Sequence, residues 1–208
     1  MIETLSLSDR RILFVMACEP EYGPGLRSRI RPVMTGVGPI EAAIETTRAL
    51  QALADAGTPP DLVCSLGSAG SRKCRLGEVY QVASIAWRDI DASPLGFARG
   101  TTPFADHPVV VPLRTPIAQL PSASLSTGAN VVTGDHYAAI DADMVDMESF
   151  AVWRACQRFG VEMIGLRGIS DGPGELVGLD GWTELLGHLD EKLAEAVDML
   201  AESFEARS

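Results

Sequence analysis

The chain is predicted to be an α/β protein with helices layered on a sheet, and two observations carry that reading. Short, nearly continuous apolar runs, chiefly Ile12 to Ala17, Leu62 to Leu66 and Met163 to Ile169, have the length and composition of strands covered on both faces. Other stretches repeat their apolar residues every three or four positions, as the buried stripe of a helix does. Strands alternating with helices imply a layered α/β architecture.

Taken in order, Ile12 to Ala17 is the first buried strand. Arg10-Arg11 before it gives a faint likeness to a signal peptide. The run is short, however, and Glu19-Pro20-Glu21 stands where a small-residue cleavage site belongs. Pro32 to Thr35 is a second, shorter strand. Pro39 to Asp55 carries Ile40, Ala43, Ile44, Thr47 and Leu50 as a helical stripe, opened by a proline in its first turn. Thr58-Pro59-Pro60 breaks the chain before the strand Leu62 to Leu66, and Val79 to Trp87 is the next strand. Residues 88–122, rich in Pro, Gly and Thr, read as loops with short strands, and Ser124 to Val132 as a further strand. Phe150, Ala151, Ala155 and Phe159 mark a helix ended by Gly160, before the strand Met163 to Ile169. Trp182, Leu185, Leu189, Leu193, Ala196, Val197, Leu200 and Phe204 step along a final amphipathic helix. With no repeat, low-complexity tract or linker, and 46% of 208 residues hydrophobic, one domain over residues 1–208 is expected.

Charge narrows the partners. A formal net charge of -11, from 28 acids against 17 Lys and Arg, disfavours nucleic acid and an anionic membrane. No run reaches the ~20 apolar residues of a membrane helix. Cys18, Cys64, Cys74 and Cys156 form no C-x-x-C pair, and His107, His136 and His188 no ligand cluster, so neither metal nor cofactor is expected. Reduced, buried thiols suit a cytoplasmic protein.

Two acids stand out. Glu148 lies near a helix start and Asp171 just past a strand. In open parallel sheets such positions border one crevice, so the two could share a pocket. Equally, Glu148 could cap its helix and Asp171 open a turn. Gly36-Val37-Gly38 before the Pro39 helix lacks the third glycine of a dinucleotide fingerprint, because position 41 is Glu; a tight turn is the better reading. Gly67-Ser68-Ala69-Gly70 follows the Leu62 strand as a flexible stretch offering amides and a hydroxyl, without the P-loop lysine. Strand ends thus present Glu21, Ser68, Glu148 and Asp171, with Arg167 placed to offset some negative charge. Three acids without a metal suit proton transfer with water as nucleophile: one ionised carboxylate deprotonates water, another with a raised pKa protonates the leaving group. Carboxylates also stabilise a cationic, sugar-like transition state.

These motifs resemble the nucleoside phosphorylase/nucleosidase superfamily, most closely the methylthioadenosine/S-adenosylhomocysteine nucleosidases. The resemblance rests on Ala17-Cys18-Glu19-Pro20-Glu21, Thr35-Gly36-Val37-Gly38, Gly67-Ser68-Ala69-Gly70, Thr133-Gly134-Asp135, Val145-Asp146-Met147-Glu148 and Arg167-Gly168-Ile169-Ser170-Asp171, in family order. It implies a three-layer α/β/α sandwich with a central mixed, mostly parallel sheet. It further implies a purine nucleosidase that releases adenine, normally a homodimer whose partner closes part of the pocket. By the same resemblance Asp171 would protonate the purine, with Ser170 orienting it, and Glu21 would activate water with Arg167 and Ser68 nearby. Glu148 would hold the ribose hydroxyls and Met147 would pack beneath the sugar, at a site whose backbone includes Gly70. Tyr137, where the family usually has Phe, would stack on adenine or else be a core aromatic, and Asp135 is a ligand or a turn residue.

Hydrolysis or phosphorolysis turns on a guanidinium. Hexameric phosphorylases of the superfamily have an arginine three positions before the serine of the Gly-Ser stretch, where this chain has Ser65. Arg27, Arg29 and Arg31 keep the phosphorylase alternative open. Between Glu21 and Thr35 the chain is abridged, and residues 88–122 match poorly, so the group on the far carbon of the ribose is not fixed; cleavage of futalosine or adenosylhopane remains an alternative, as does a silent nucleoside-binding protein. Trp182 is read as a helix-start aromatic, with the pocket as its other possible place.

Overall fold

The structure, a computed structural model, describes residues 2–172, 174, 183 and 185–206. The strands are β1 (Leu5–Leu7), β2 (Arg10–Met16), β3 (Val33–Met34), β4 (Leu62–Ser71), β5 (Val79–Trp87), β6 (Val110–Pro112), β7 (Ser122–Thr127), β8 (Met144–Asp146) and β9 (Glu162–Asp171). The helices are α1 (Pro24–Arg27), α2 (Pro39–Asp55), α3 (Ser149–Phe159) and α4 (Leu186–Glu205).

The apolar runs form strands because both of their faces are covered. On β2, Ile12, Phe14 and Met16 join Leu66 of β4 and Leu193, Val197 and Leu200 of α4 in one core. The intervening Leu13 and Val15 face the other way and meet Leu50 of α2 and Val152 and Cys156 of α3. The two-residue period of a strand thus feeds two helical layers, giving the expected α/β/α arrangement. Each such Leu or Ile, when fully buried, contributes roughly 1.5–3 kcal/mol.

The sheet is mixed, with five parallel and four antiparallel ladders among the described residues. β4 lies parallel between β2 and β9 over its first half. Its pairing with β9 continues, through a register shift at Ala69/Gly70, to Gly70, while Gly70 and Ser71 also pair with β8. Pairings β9–β5, β5–β7 and β7–β8 then close a ring back to β4. That closure, which no local pattern encodes, gathers the ends of β4, β5, β7, β8 and β9 around one space.

Several elements differ from the sequence reading. Gly67 to Gly70 belong to β4 itself, so this stretch is strand rather than loop. Asp171 is the last residue of β9, not the residue after it. The strand expected at Ser124 to Val132 is Ser122–Thr127. Trp182 lies outside the described residues. No helix among the described residues is long and apolar enough to cross a membrane.

The abridged stretch after Glu21 is strapped to the last helix. Asp190 of α4, 3% exposed, accepts the amides of Gly23 (3.0 Å), Gly25 (2.7 Å) and Leu26 (3.0 Å). A Cβ at Gly23 or Gly25 would lie 2.6 or 2.9 Å from the Asp190 carboxyl, so both glycines permit the approach. The carboxylate takes over the N-terminal amides of α1, the groups a helix leaves unpaired. Asp190→Ala should therefore lower the unfolding free energy by about 2–4 kcal/mol, read as a fall in the urea midpoint; an unchanged midpoint would show the strap to be dispensable.

Candidate active site

Glu21 closes the short 3-10 turn Glu19–Glu21 that follows β2, and its side chain is buried. Its Oε1 accepts the Ser68 amide at 2.8 Å and the Ser68 hydroxyl at 2.6 Å. The amide of the Gly67–Gly70 stretch thus holds a carboxylate of the protein itself. Oε2 of Glu21 is buried without a hydrogen-bond partner among the described residues. A cavity of about 10 Å³ adjoins it, bordered by Thr35, Ser65, Ser68, Glu148 and Arg167, with roughly the room one water requires.

Glu148 precedes α3 yet does not cap it. Asp146 Oδ2 accepts the Ser149 amide at 3.0 Å, and Thr127 Oγ1 accepts that of Phe150 at 2.9 Å. Relieved of capping, Glu148 turns its Oε1 onto the Gly38 amide at 2.8 Å. Gly36 and Gly38 have φ of 83° and 96°, the tight turn that lets this amide face the carboxylate. Burial, then the charge of Asp146, pushes the Glu148 carboxyl up to about 7, against the Gly38 hydrogen bond and Arg167.

Asp171, at the end of β9, accepts the Ser170 hydroxyl on Oδ1 at 2.6 Å and the Tyr137 hydroxyl on Oδ2 at 3.4 Å. Burial raises its pKa despite both hydroxyls. Gly70 makes the meeting possible: a Cβ there would lie 2.3 Å from the Tyr137 hydroxyl and 2.7 Å from Oδ2 of Asp171.

One cavity of about 430 Å³ brings together Glu21, Ser68, Gly70, Met147, Glu148 and Asp171, residues drawn from positions 21 to 171. Three other candidates stand behind its wall. Ser170 reaches it through Asp171, Tyr137 packs with Val132 and Val145, and Arg167 is buried in β9. Asp135 is exposed in the turn Gly134–Ala139. Arg88, which the sequence did not single out, also borders the cavity and donates to the carbonyls of Ser126, Asn130 and Asp146 at 2.6, 2.6 and 2.9 Å. It begins the patternless stretch 88–122, where a lone arginine carries no signal.

The arginines decide what anion the site tolerates. Arg167 donates to Asp146, to the carbonyl and hydroxyl of Ser65, and to Ser149. Arg27 pairs with Glu19 at 2.6 Å and Arg29 with Asp198 at 2.7 Å. Arg31 donates to the carbonyls of Arg27 and Ile30. None of Arg27, Arg29 and Arg31 borders either cavity.

Residues 26–204 match the phosphorylase superfamily. The chain belongs to that superfamily. It is 32% identical over 162 residues to the 5'-methylthioadenosine/S-adenosylhomocysteine nucleosidase of Actinobacillus succinogenes, covering 69% of this chain and 68% of that protein. This places it with the nucleosidases of the superfamily, which hydrolyse an N-glycosidic bond. The nucleosidase of Colwellia psychrerythraea, solved with adenine, shares the fold at a TM-score of 0.77 and 18% identity, over 92% of this chain and 94% of that one. The futalosine hydrolase of Helicobacter pylori does so at 0.76 and 18%, over 92% and 97%.

The Glu148 environment has a consequence for stability. With its folded pKa raised from 4.5 to about 7, folding favours the protonated carboxyl. That contribution is complete below about pH 4.5 and is lost as the pH rises through about 7. Glu148→Gln, neutral at every pH, should melt a few degrees above wild type at pH 8, with the difference shrinking toward pH 5. A difference that does not change with pH would contradict the raised pKa.

Proposed function

We propose that this nucleosidase hydrolyses purine nucleosides of the methylthioadenosine/S-adenosylhomocysteine type, releasing adenine. The observation that carries the reading is the pair of carboxylates across one cavity, Glu21 with an unpartnered oxygen beside a water-sized space and Asp171 with a raised pKa. In this reading Glu21 takes a proton from water as its oxygen bonds to C1' of the ribose. The C1'–N9 electron pair leaves with the base, and Asp171 delivers its proton to N7 of the departing purine. Glu148 holds the ribose hydroxyls, Met147 packs against the sugar, and Ser68 fixes the orientation of Glu21. The nearby carboxylates favour the cationic sugar of the transition state.

Water rather than phosphate as nucleophile is supported by the arginines. A phosphate dianion needs a guanidinium with free donors, and Arg167 spends its own on Asp146, Ser65 and Ser149. Ser65 itself occupies the position of the phosphorylase arginine. Adenine release from methylthioadenosine should therefore proceed in phosphate-free buffer and gain nothing from added phosphate. Asp171→Asn should reduce kcat by about 10²–10⁴-fold with an unchanged urea midpoint. Activity within about tenfold of wild type would remove Asp171 as the acid.

We further propose that the enzyme is a homodimer. Val37, Ile40 and Ile44 are exposed where α2 begins, 57%, 70% and 48%, beside an apolar hollow of about 370 Å³ that includes Trp87 and Phe150. Val37 also borders the larger cavity, so a partner covering this face would help close it. Sedimentation should give a dimer at micromolar concentration and a monomer for Ile40→Asp; a wild-type monomer would refute this.

A further inference from the structure

We propose that the Tyr137 hydroxyl is a positioning group for the acid: it donates to Oδ2 of Asp171 and stabilises the carboxylate left behind when the proton passes to the purine. The proposal rests on the nucleosidase reading, in which Asp171 is that acid.

The ring gives the hydroxyl its aim. Tyr137 is 2% exposed and packs with Val132, Ile140 and Val145, so only its polar end reaches toward the cavity wall. That end passes over Gly70, where any side chain would occupy the same space as the hydroxyl and Oδ2. Three separate segments, β4, the Gly134–Ala139 turn and β9, therefore converge on one contact.

Asp171 needs such a donor. Among the described residues no Lys, Arg or His forms an ion pair with it. A buried carboxylate formed by proton transfer is stabilised by hydrogen bonds or not at all. Ser170 supplies one, on Oδ1 at 2.6 Å, and Tyr137 supplies the other oxygen's partner. At 3.4 Å the Tyr137 bond is long for two oxygens. A bond to a neutral carboxyl strengthens and shortens once that carboxyl is charged. A contact that gains strength as the proton leaves acts on the transition state more than on the bound substrate. The other ionisable groups on the cavity are Cys18, Glu21, Arg88, Asp146 and Glu148; of these Arg88 also interacts with Tyr137, and its guanidinium remains a cation with or without that hydroxyl.

Tyr137→Phe keeps the ring and removes only the donor. Without it the Asp171 proton is held more tightly, so the descending limb of kcat against pH moves to higher pH, by about half a unit to one unit. In methylthioadenosine hydrolysis kcat at pH 7 should fall about tenfold, with KM within about twofold. A carbon-13 titration of the Asp171 carboxyl, which needs no substrate, should shift in the same direction. A limb and a titration that both coincide with wild type would overturn the proposal even if kcat fell, because loss of packing alone lowers the rate without moving a pKa. Wild-type protein that releases purine from no nucleoside would instead overturn the nucleosidase reading, and with it the role of Asp171 as acid.

Discussion

Arg167 stands at the junction of almost everything that shapes this site. From the middle of β9 its guanidinium reaches Ser65 on β4, Asp146 at the end of β8 and Ser149 in the first turn of α3. Its ion pair with Asp146, at 3.0 Å with both side chains almost fully buried, is tolerable because the remaining donors are also matched. Asp146 is equally committed, accepting Thr127 of β7 and the Ser149 amide. Removing either partner would strand a buried charge, at about 3–5 kcal/mol. The ring closure of the sheet and the entry of α3 therefore share one polar centre.

That commitment sets the character of the cavity. Arg167 neutralises Asp146 and has no donor to spare for an anion beside Glu21. Glu148, two residues after Asp146, has its pKa raised first by burial and then by the Asp146 charge. Asp171, with no ion-pair partner among the described residues, is raised by burial against the Ser170 and Tyr137 hydrogen bonds. In the proposed reaction such a space would receive a neutral nucleoside and a water molecule and favour positive charge developing on the sugar. In the proposed mechanism, an acid of raised pKa and an acidic wall are what N-glycosidic hydrolysis asks of a protein.

Glu21 depends on a second arrangement. It follows β2 on a short turn whose continuation has only α1 before β3. A segment so brief has little core of its own, and Asp190 from α4 anchors it by three main-chain amides. Ser68 then fixes the carboxylate from the β4 side, leaving one oxygen of Glu21 to face the small cavity. The position of Glu21 is thus held by elements from both ends of the chain.

Much of this was legible in the residues. The continuous apolar runs determined β2, β4 and β9, and the stripe after Pro39 marked α2 at its observed extent, Pro39–Asp55. Motif order marked Glu21, Ser68, Met147, Glu148 and Asp171, all of which border one cavity. Local pattern could not separate a capping Glu148 from a pocket Glu148, because that depends on Asp146 and Thr127 taking the α3 amides first. Nor could it find Arg88, the Asp190 strap or the Tyr137–Asp171 contact, since each joins residues whose neighbours in sequence give no sign of the partner. The sequence by itself determined which segments bury apolar surface and which acidic side chains stand at strand ends, because periodicity and composition are local. The tertiary structure alone decided which of those acids are hydrogen-bonded and which are shifted in pKa by burial, because both depend on groups that only the closed sheet brings within reach.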